Sequence, residues 1–462
     1  MNQDDRANMH AANLETVALR EAIFDYARER MSFDPAPLDA PMTLEQLQTL
    51  APNTVNETGL GGRGALDVFA DALAPACLST DHPGYLSFIP TAPTEAATLF
   101  DLVVSASSIY GGSWMEGAGA VYAENEVLAW LAKEAGLPET SGGVFVQGGT
   151  LGNLSALVAA RHTAQSKLAA QGLPRPARWK FICSSEAHSS LKSAAQVMDV
   201  DIIKAQATED GRLTGAAVEA ALAEAGDGVF AIVATAGTTN FGIVDRIREV
   251  GEVADREKIW FHDDGAYGLA GILSPLTRHL FDGTELADSF IVDPHKWLFA
   301  PFDACALVYR NPALAKAAHT QHGEYLDTLT ESDDWNPSDY AYNLTRRVRG
   351  LPLWFSLATH GIAAYRRAVT ENIELAHRIA DEIRRRPTLR LVREPELSVV
   401  VFEHEGWGID EYNDWSDYLL QNGKGLVVPS SHRGKPNTRF AIVNPQTSYE
   451  LLIELLDTME SR

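Results

Sequence analysis

Residues Ala287 to Phe302 read ADSFIVDPHKWLFAPF. The apolar run Phe290-Ile291-Val292 has the length and β-branched content of a buried strand. It runs straight into Asp293-Pro294-His295-Lys296, and Trp297-Leu298-Phe299 follow. A lysine between a histidine and a tryptophan, at the mouth of a buried strand, is poorly placed for solvent. Lysine is rarely buried without a partner or a task. One such task is chemistry, because desolvation lowers an amine pKa and makes the amine a nucleophile toward carbonyl carbon. On these residues alone the plainer account, an ion-paired lysine in a loop, is the stronger one.

Outward from this stretch, strands alternate with helices from Pro83 to about Arg310. Apolar runs predict strands at 144–146, 179–184, 201–204, 229–235, 259–262, 289–292 and 304–309. Helical periodicity predicts helices at 124–135, 190–198, 215–225 and 247–256, and one through Asn153, Leu154, Leu157 and Ala160. Such alternation implies a mostly parallel sheet with helices on both faces. Ligands in these sheets sit at the carboxyl ends of the strands. Before this region, helices are predicted at 12–30, 43–50 and 64–73, an arm too small to bury a core of its own. After it, 319–343 is polar and aperiodic, as a mobile loop or functional lid would be. The last third predicts a helix from Pro352 and a long helix with Ile373, Ala376, Ile379 and Ile383 on one stripe. Strands at 389–392, 398–402, 425–428 and 439–443 and a closing helix through Leu451, Leu452 and Leu455 complete a small α+β unit.

The 462 residues are 45% hydrophobic and 22% charged, ordinary for a folded enzyme of more than one domain. A net charge of -24 argues against nucleic acid and anionic membrane as partners, since both call for a basic surface. Cys77, Cys183 and Cys305 are widely spaced and odd in number, with neither disulfide-framework nor metal-site spacing. The N-terminus has no basic-then-apolar leader and no run reaches membrane-span length, so a cytoplasmic protein is expected.

Four strand-end loops carry possible chemistry. Gly148-Gly149-Thr150 stands between a strand and a helix, where glycine lets backbone amides approach an anion and the helix dipole favours it. Glu186-Ala187-His188 and Thr235-Ala236-Gly237-Thr238-Thr239 close two further strands. His262-Asp263-Asp264-Gly265-Ala266 closes another. Two carboxylates beside a histidine suggest a metal, but adjacent strand residues point to opposite faces and do not readily share one ion. A single strand-end Asp backed by small residues suits a flat ring, whose nitrogen it keeps protonated. Each loop has a plain alternative: a tight turn, a helix-capping Asp, a lone His. Together they are more specific. An anion cradle, a stacking His, a ring-nitrogen Asp and a Schiff-base lysine, in that order, make the site of pyridoxal phosphate.

The chain thus resembles the group II pyridoxal-phosphate-dependent amino acid decarboxylases, closest to the aromatic-L-amino-acid subgroup. The carriers are His82-Pro83-Gly84-Tyr85 with Pro90-Thr91, Gly148-Gly149-Thr150 with Asn153, Glu186-Ala187-His188, residues 235–239 and 262–268, Asp293-Pro294-His295-Lys296-Trp297, and Arg346-Arg347-Val348-Arg349. The likeness runs from 82 to 350 and continues more weakly to the C-terminus. It implies an α/β fold of pyridoxal-phosphate type I, like aspartate aminotransferase. Residues 1–81 would be an N-terminal helical arm, 82–345 the large cofactor-binding α/β domain, and 346–462 the small α+β domain. It implies a homodimer with shared active sites.

By the same resemblance, Lys296 forms the Schiff base, Asp264 pairs with the pyridine nitrogen, and His188 and Ala266 flank the ring. Gly149, Thr150 and His295 meet the phosphate, while Thr239 and Asp245 support the ring and His188. Tyr325 in the 319–343 loop protonates the substrate carbon after carbon dioxide leaves, once closure has excluded water. Tyr85, Phe88, Pro90 and Thr91, with Ile89, line the substrate pocket. Two departures stand out: Leu151-Gly152 replaces polar residues, and Asp263 replaces an apolar one. Asp293, where the family has Asn or Asp, must face away from a phosphate or be paired.

The implied reaction is α-decarboxylation of an L-amino acid, favouring an aromatic one, to the amine and carbon dioxide. Its relatives are an aldehyde-forming decarboxylation with oxidative deamination, and decarboxylation of an acidic or diamino acid. Retention of Tyr325 and His188 favours the simple reaction. A metal-dependent hydrolase on His262, Asp263 and Asp264 leaves Lys296 and the glycine turn unexplained. A pyridoxal-binding protein without catalysis leaves the joint retention of Lys296, Asp264, His188 and Tyr325 unexplained.

Overall fold

A computed structural model describes residues 8–10, 13–321, 323 and 334–461. The alternating pattern becomes a seven-stranded sheet: β1 (Gly142–Val146), β2 (Lys180–Ser184), β3 (Asp201–Ala205), β4 (Val229–Thr235), β5 (Trp260–Asp264), β6 (Ser289–Val292) and β7 (Cys305–Tyr309). Their spatial order is β1-β7-β6-β5-β4-β2-β3. β7 runs antiparallel to both β1 and β6, and the pairs from β6 to β3 are parallel. Every residue of β5, β6 and β7 is buried; β6 and β7 accordingly read as largely apolar runs, whereas β5 ends in the buried polar His262, Asp263 and Asp264. Successive residues serve opposite faces: Phe290 joins one core with Phe145, Ile232 and Phe261, and Ile291 joins the other with Phe181, Val233 and Leu307.

Helices that precede and flank these strands include α1 (Leu14–Ser32), α2 (Leu44–Leu50), α3 (Gly61–Val68), α4 (Glu95–Ala106), α5 (Trp114–Glu134), α6 (Gly149–Ala170), α7 (Ser189–Met198), α8 (Gly215–Ala225) and α9 (Ile247–Glu257). α9 shows the logic of the set, burying Ile247, Val250 and Val253/Ala254 at helical spacing. α1, α2 and α3 bury no residue at all, as an arm without its own core must. Among the described residues no helix is long and apolar enough to cross a membrane.

A second sheet, β8 (Leu389–Leu391), β9 (Val399–His404), β10 (Ser430–His432) and β11 (Lys435–Ala441), is antiparallel in the order β10-β11-β9-β8. The helices Ile362–Arg385, Ile409–Gln421 and Tyr449–Glu460 pack on it around Trp415, Phe402 and Phe440. The strand expected at 425–428 is absent. Pro429 ends that run, and Leu426 makes one bridge to Tyr85, with Leu86 N donating to Leu426 O at 3.0 Å. The hairpin forms later, turning through Arg433 (φ 50) and Gly434 (φ 79), both in the left-handed region that a two-residue hairpin turn uses.

The three arginines after the long loop are structural clamps. Arg346 donates to both oxygens of buried Glu124 at 2.7 and 2.9 Å, Arg347 pairs with Asp101, and Arg349 with Asp303. A buried carboxylate needs this bidentate partner, and Gly350 N adds a third bond.

Candidate active site

Six strand-end loops of the large sheet open into one cavity of about 1660 Å³. Its walls include Gly149, Thr150, His188, Thr239, Asp264, Ala266, His295 and Lys296, so all eight residues expected at the cofactor meet there. The loops are laced to one another by backbone bonds. Ala236 N donates to Asp264 O, and Asp293 N donates to Ala266 O, each at 2.9 Å.

Lys296 lies in the short helical turn Pro294–Trp297, where Pro294 supplies a helix start without needing a donor. Its Nζ is 3.0 Å from Asp293 Oδ2. Burial alone pushes the ammonium pKa down, as the sequence suggested, but Asp293 and then Asp264 outweigh it and hold it above the ordinary lysine value. The expectation of a lowered pKa is therefore corrected: the neighbouring carboxylate wins over desolvation. Asp293 is the paired anion that the sequence required, accepting also from Gly149 N at 3.3 Å, while its Oδ1 is buried without a partner. His295 is anchored through Nδ1, which lies 2.7 Å from Ala304 O and 3.1 Å from Ala304 N.

Asp264 is buried at the end of β5 and accepts from Asn153 Nδ2 at 2.9 Å and Ala266 N at 3.2 Å. Its neighbour Asp263 points to the other side and accepts from Thr284 Oγ1 at 2.9 Å. The strand's alternation thus separates the two carboxylates. His188 caps α7, its Nδ1 accepting from Ser190 N at 3.2 Å. Asp245 gives its oxygens to Leu213 N and Thr235 N, both at 2.7 Å, so it fastens the end of β4 and does not reach His188 directly. The departure at Gly152 has a packing cause. A Cβ there would stand 2.8 Å from both Cys305 Sγ and Ile291 Cγ2, so glycine lets α6 lie against β6 and β7.

Burial pushes the Asp263 carboxyl up to about 7, with Asp264 and Asp245 adding repulsion against the bond from Thr284. Between its unfolded pKa, about 3.9, and about 7 the folded chain holds a proton that the unfolded chain has released. This group therefore favours the folded state at low pH, and its contribution is lost as pH rises through about 7. Asp263→Asn, which keeps an acceptor for Thr284, is expected to melt higher than wild type at pH 8 and to flatten the fall in melting temperature from pH 6 to 8. Buried Asp245 is shifted the same way and persists in the variant, so the fall is reduced rather than abolished. Melting curves that stay parallel across that range would refute the assignment.

Tyr85, Phe88, Pro90 and Thr91 do not line the cavity. Tyr85 packs with Leu38 and Leu426, and Thr91 Oγ1 donates to Ala300 O at 2.8 Å. Phe88 sits at φ 53 with its side chain 58% exposed, and Pro90 is buried. Within one chain these four are not brought to Lys296. Tyr325 lies outside the described residues. Two groups were missed as site components. Asn153, one helical turn beyond Gly149, was legible as a polar residue on the apolar inner face of α6. Arg439 on β11 is buried and donates Nη1 to the Thr239 carbonyl, tying the small sheet to the cavity wall; nothing in its strand pattern marked it.

The residues present fit pyridoxal phosphate. A Cβ added at Gly149 would meet Asp293 Oδ2 at 3.1 Å, Ala266 Cβ at 3.2 Å and Ile291 Cδ1 at 3.3 Å, so the glycine turn keeps this wall open to a close approach. Amine, carboxylate and backbone donors face the same space, the set that an aldehyde-bearing pyridine phosphate calls for.

Comparison with known proteins agrees. The chain is 29% identical over 395 residues to an aromatic-L-amino-acid decarboxylase of Bacillus atrophaeus, covering 81% of this chain and 80% of that one. It is 26% identical over 441 residues to an L-2,4-diaminobutyrate decarboxylase of Acinetobacter baumannii, covering 90% and 86%. The crystal structure of Oryza sativa TDC with PLP and tryptamine superposes with a TM-score of 0.87 at 24% identity over 100% of this chain and 98% of that one, a likeness of fold. The family model described as the pyridoxal-dependent decarboxylase conserved domain matches residues 45–405. That span takes in all seven strands of the large sheet, and on it the chain belongs to the pyridoxal-dependent decarboxylases, carboxy-lyases that work with pyridoxal phosphate.

Proposed function

We propose that this chain removes the α-carboxylate of an aromatic L-amino acid, giving the amine and carbon dioxide. The observation that carries the reading is the meeting of Lys296, Asp264 and His188 with the Gly149-Thr150 turn around one cavity. Pyridoxal phosphate, when bound, supplies the electron sink for breaking the Cα–carboxylate bond. Gly149, Thr150 and His295 would hold its phosphate, Ala266 and His188 would confine its ring, and Thr239 would support it. Asp264 keeps a proton on the ring nitrogen, its own charge steadied by Asn153 and Ala266. Lys296 must lose a proton before it attacks a carbonyl, and Asp293 Oδ2 at 3.0 Å is the acceptor at hand. Tyr325 delivers the proton to the substrate carbon.

The aromatic preference rests on relatives named for aromatic substrates. The diaminobutyrate relative is the reason to test it. A decarboxylation screen over Trp, Tyr, Phe, dihydroxyphenylalanine, Glu and 2,4-diaminobutyrate should release carbon dioxide and amine from aromatic substrates first. Turnover of Glu or diaminobutyrate alone would overturn the preference, and aldehyde with peroxide in place of amine would overturn the simple reaction.

The same reading includes a homodimer. α4 exposes Leu99, Leu102 and Val103 at helical spacing, and Met115 and Tyr122 of α5 are exposed as well. A partner covering this face would take these side chains out of water. Leu102→Arg is expected to shift sedimentation from twice the chain mass toward one and to lose activity in parallel. A fully active monomer would sink the proposal.

A further inference from the structure

His262 is buried completely, lies behind Asp264 on β5, and has no part in the reading above. We propose that His262 is a positioning residue that locks the Asn153 amide so that its hydrogens face Asp264 and Ser190. The inference rests on the role given to Asp264 under the proposed function.

The direction of the chain of bonds is set from the Asp264 end. An ionised Asp264 only accepts, so Asn153 presents Nδ2 to Asp264 Oδ2 at 2.9 Å and to Ser190 Oγ at 3.0 Å, and turns Oδ1 toward His262. His262 Nε2, 2.8 Å from that oxygen, therefore carries the hydrogen and donates it. The neutral ring then leaves Nδ1 bare, and the Ser289 hydroxyl, whose Oγ lies 2.8 Å away and accepts from Trp260 Nε1 at 2.9 Å, donates to it. Beyond Ser190, whose Oγ accepts from Asn153, the hydroxyl hydrogen is free for His188 Nδ1 at 3.0 Å. One amide therefore serves both residues assigned to the ring. Burial pushes the His262 pKa down to about 4, so the ring stays neutral and its tautomer alone sets the polarity.

Without that lock the amide can turn over. Its carbonyl would then face the Asp264 carboxylate, favour a proton on Asp264, and draw it from the ring nitrogen. The step that needs the protonated ring slows, while substrate binding is little affected.

A glutamine can copy a neutral histidine here, offering an N–H to Asn153 and an oxygen to Ser289; a phenylalanine cannot. In the holoenzyme with ¹⁵N-labelled histidine, His262 should show a protonated Nε2 and a bare Nδ1. His262→Phe should lower kcat about 10-fold to 100-fold, the usual cost of losing an outer-shell partner, with KM nearly unchanged and the cofactor absorbance band shifted. His262→Gln should restore both. Asn153→Ala should reproduce the spectral shift, and the double variant with His262→Phe should be no worse than either alone. A protonated Nδ1 in the wild type would overturn the proposal. So would a glutamine variant that behaves like phenylalanine, or losses that add in the double variant. The tautomer is read without turnover, so failure of the decarboxylase reading would show separately, as absent carbon dioxide release.

Discussion

Lys296→Ala should lower decarboxylation by roughly 10⁴-fold or more, the scale of removing a covalent nucleophile. It should also leave no cofactor attached to the chain after borohydride reduction. Two features of the site make the loss so large. Lys296 Nζ is the amine at the strand ends of the large sheet in the cavity wall, in a short turn fixed at the end of buried β6. The group that tunes it, Asp293, is bonded to that same nitrogen, so removing the amine leaves a buried carboxylate with Gly149 N as a weak remaining donor at 3.3 Å. Some cofactor should still bind through the glycine turn, which the wild-type and variant absorbance spectra would distinguish from covalent attachment. A variant that keeps a reducible covalent link, or retains more than about one hundredth of wild-type turnover, would remove Lys296 from the centre of the reaction.

Asp264→Asn should reduce kcat by about 10³-fold, as expected for losing a preorganised charge where electrons accumulate. Asparagine has the same shape, and its one oxygen replaces either the acceptor for Asn153 Nδ2 or the acceptor for Ala266 N, so the pocket outline should persist with one of these bonds lost. What disappears is the negative charge that, on the proposed reading, keeps the ring nitrogen protonated. The loss should therefore fall on kcat with KM nearly unchanged, and the cofactor band should move while remaining covalently attached. A proportionate rise in KM without a change in kcat would mean that Asp264 merely shapes the pocket.

The strand-end loops were legible because each follows an apolar run that could only be a buried strand, such as 229–235 or 289–292. Their order along the chain was enough to place Lys296, Asp264, His188 and the glycine turn on one edge of one sheet. Other parts were hidden for identifiable reasons. α4 carries Leu99, Leu102 and Val103 on its exposed side as well as Ala97 and Val104 inside, so no polar face marks its period. The first turns of α5 contain Gly117, whose φ of -134 departs from the helix, and this obscured its start at Trp114. The Lys296 pKa was misread because burial was visible in the sequence, whereas the 3.0 Å distance to Asp293 was not. The partners of His262 and Asn153 lie at sequence separations of 109 and 111 residues, beyond any local pattern.

The strand order also dictates a timetable. β1 pairs with β7 alone, although β7 begins at Cys305, so the strand that leads into the glycine turn has no neighbour until the chain has been made well past Lys296. Strands β2 to β6 can assemble around their own parallel ladder beforehand. The glycine-turn edge of the cavity is thus expected to close only after β7 has been made. Limited proteolysis of ribosome-stalled chains ending on either side of β7 would register the moment.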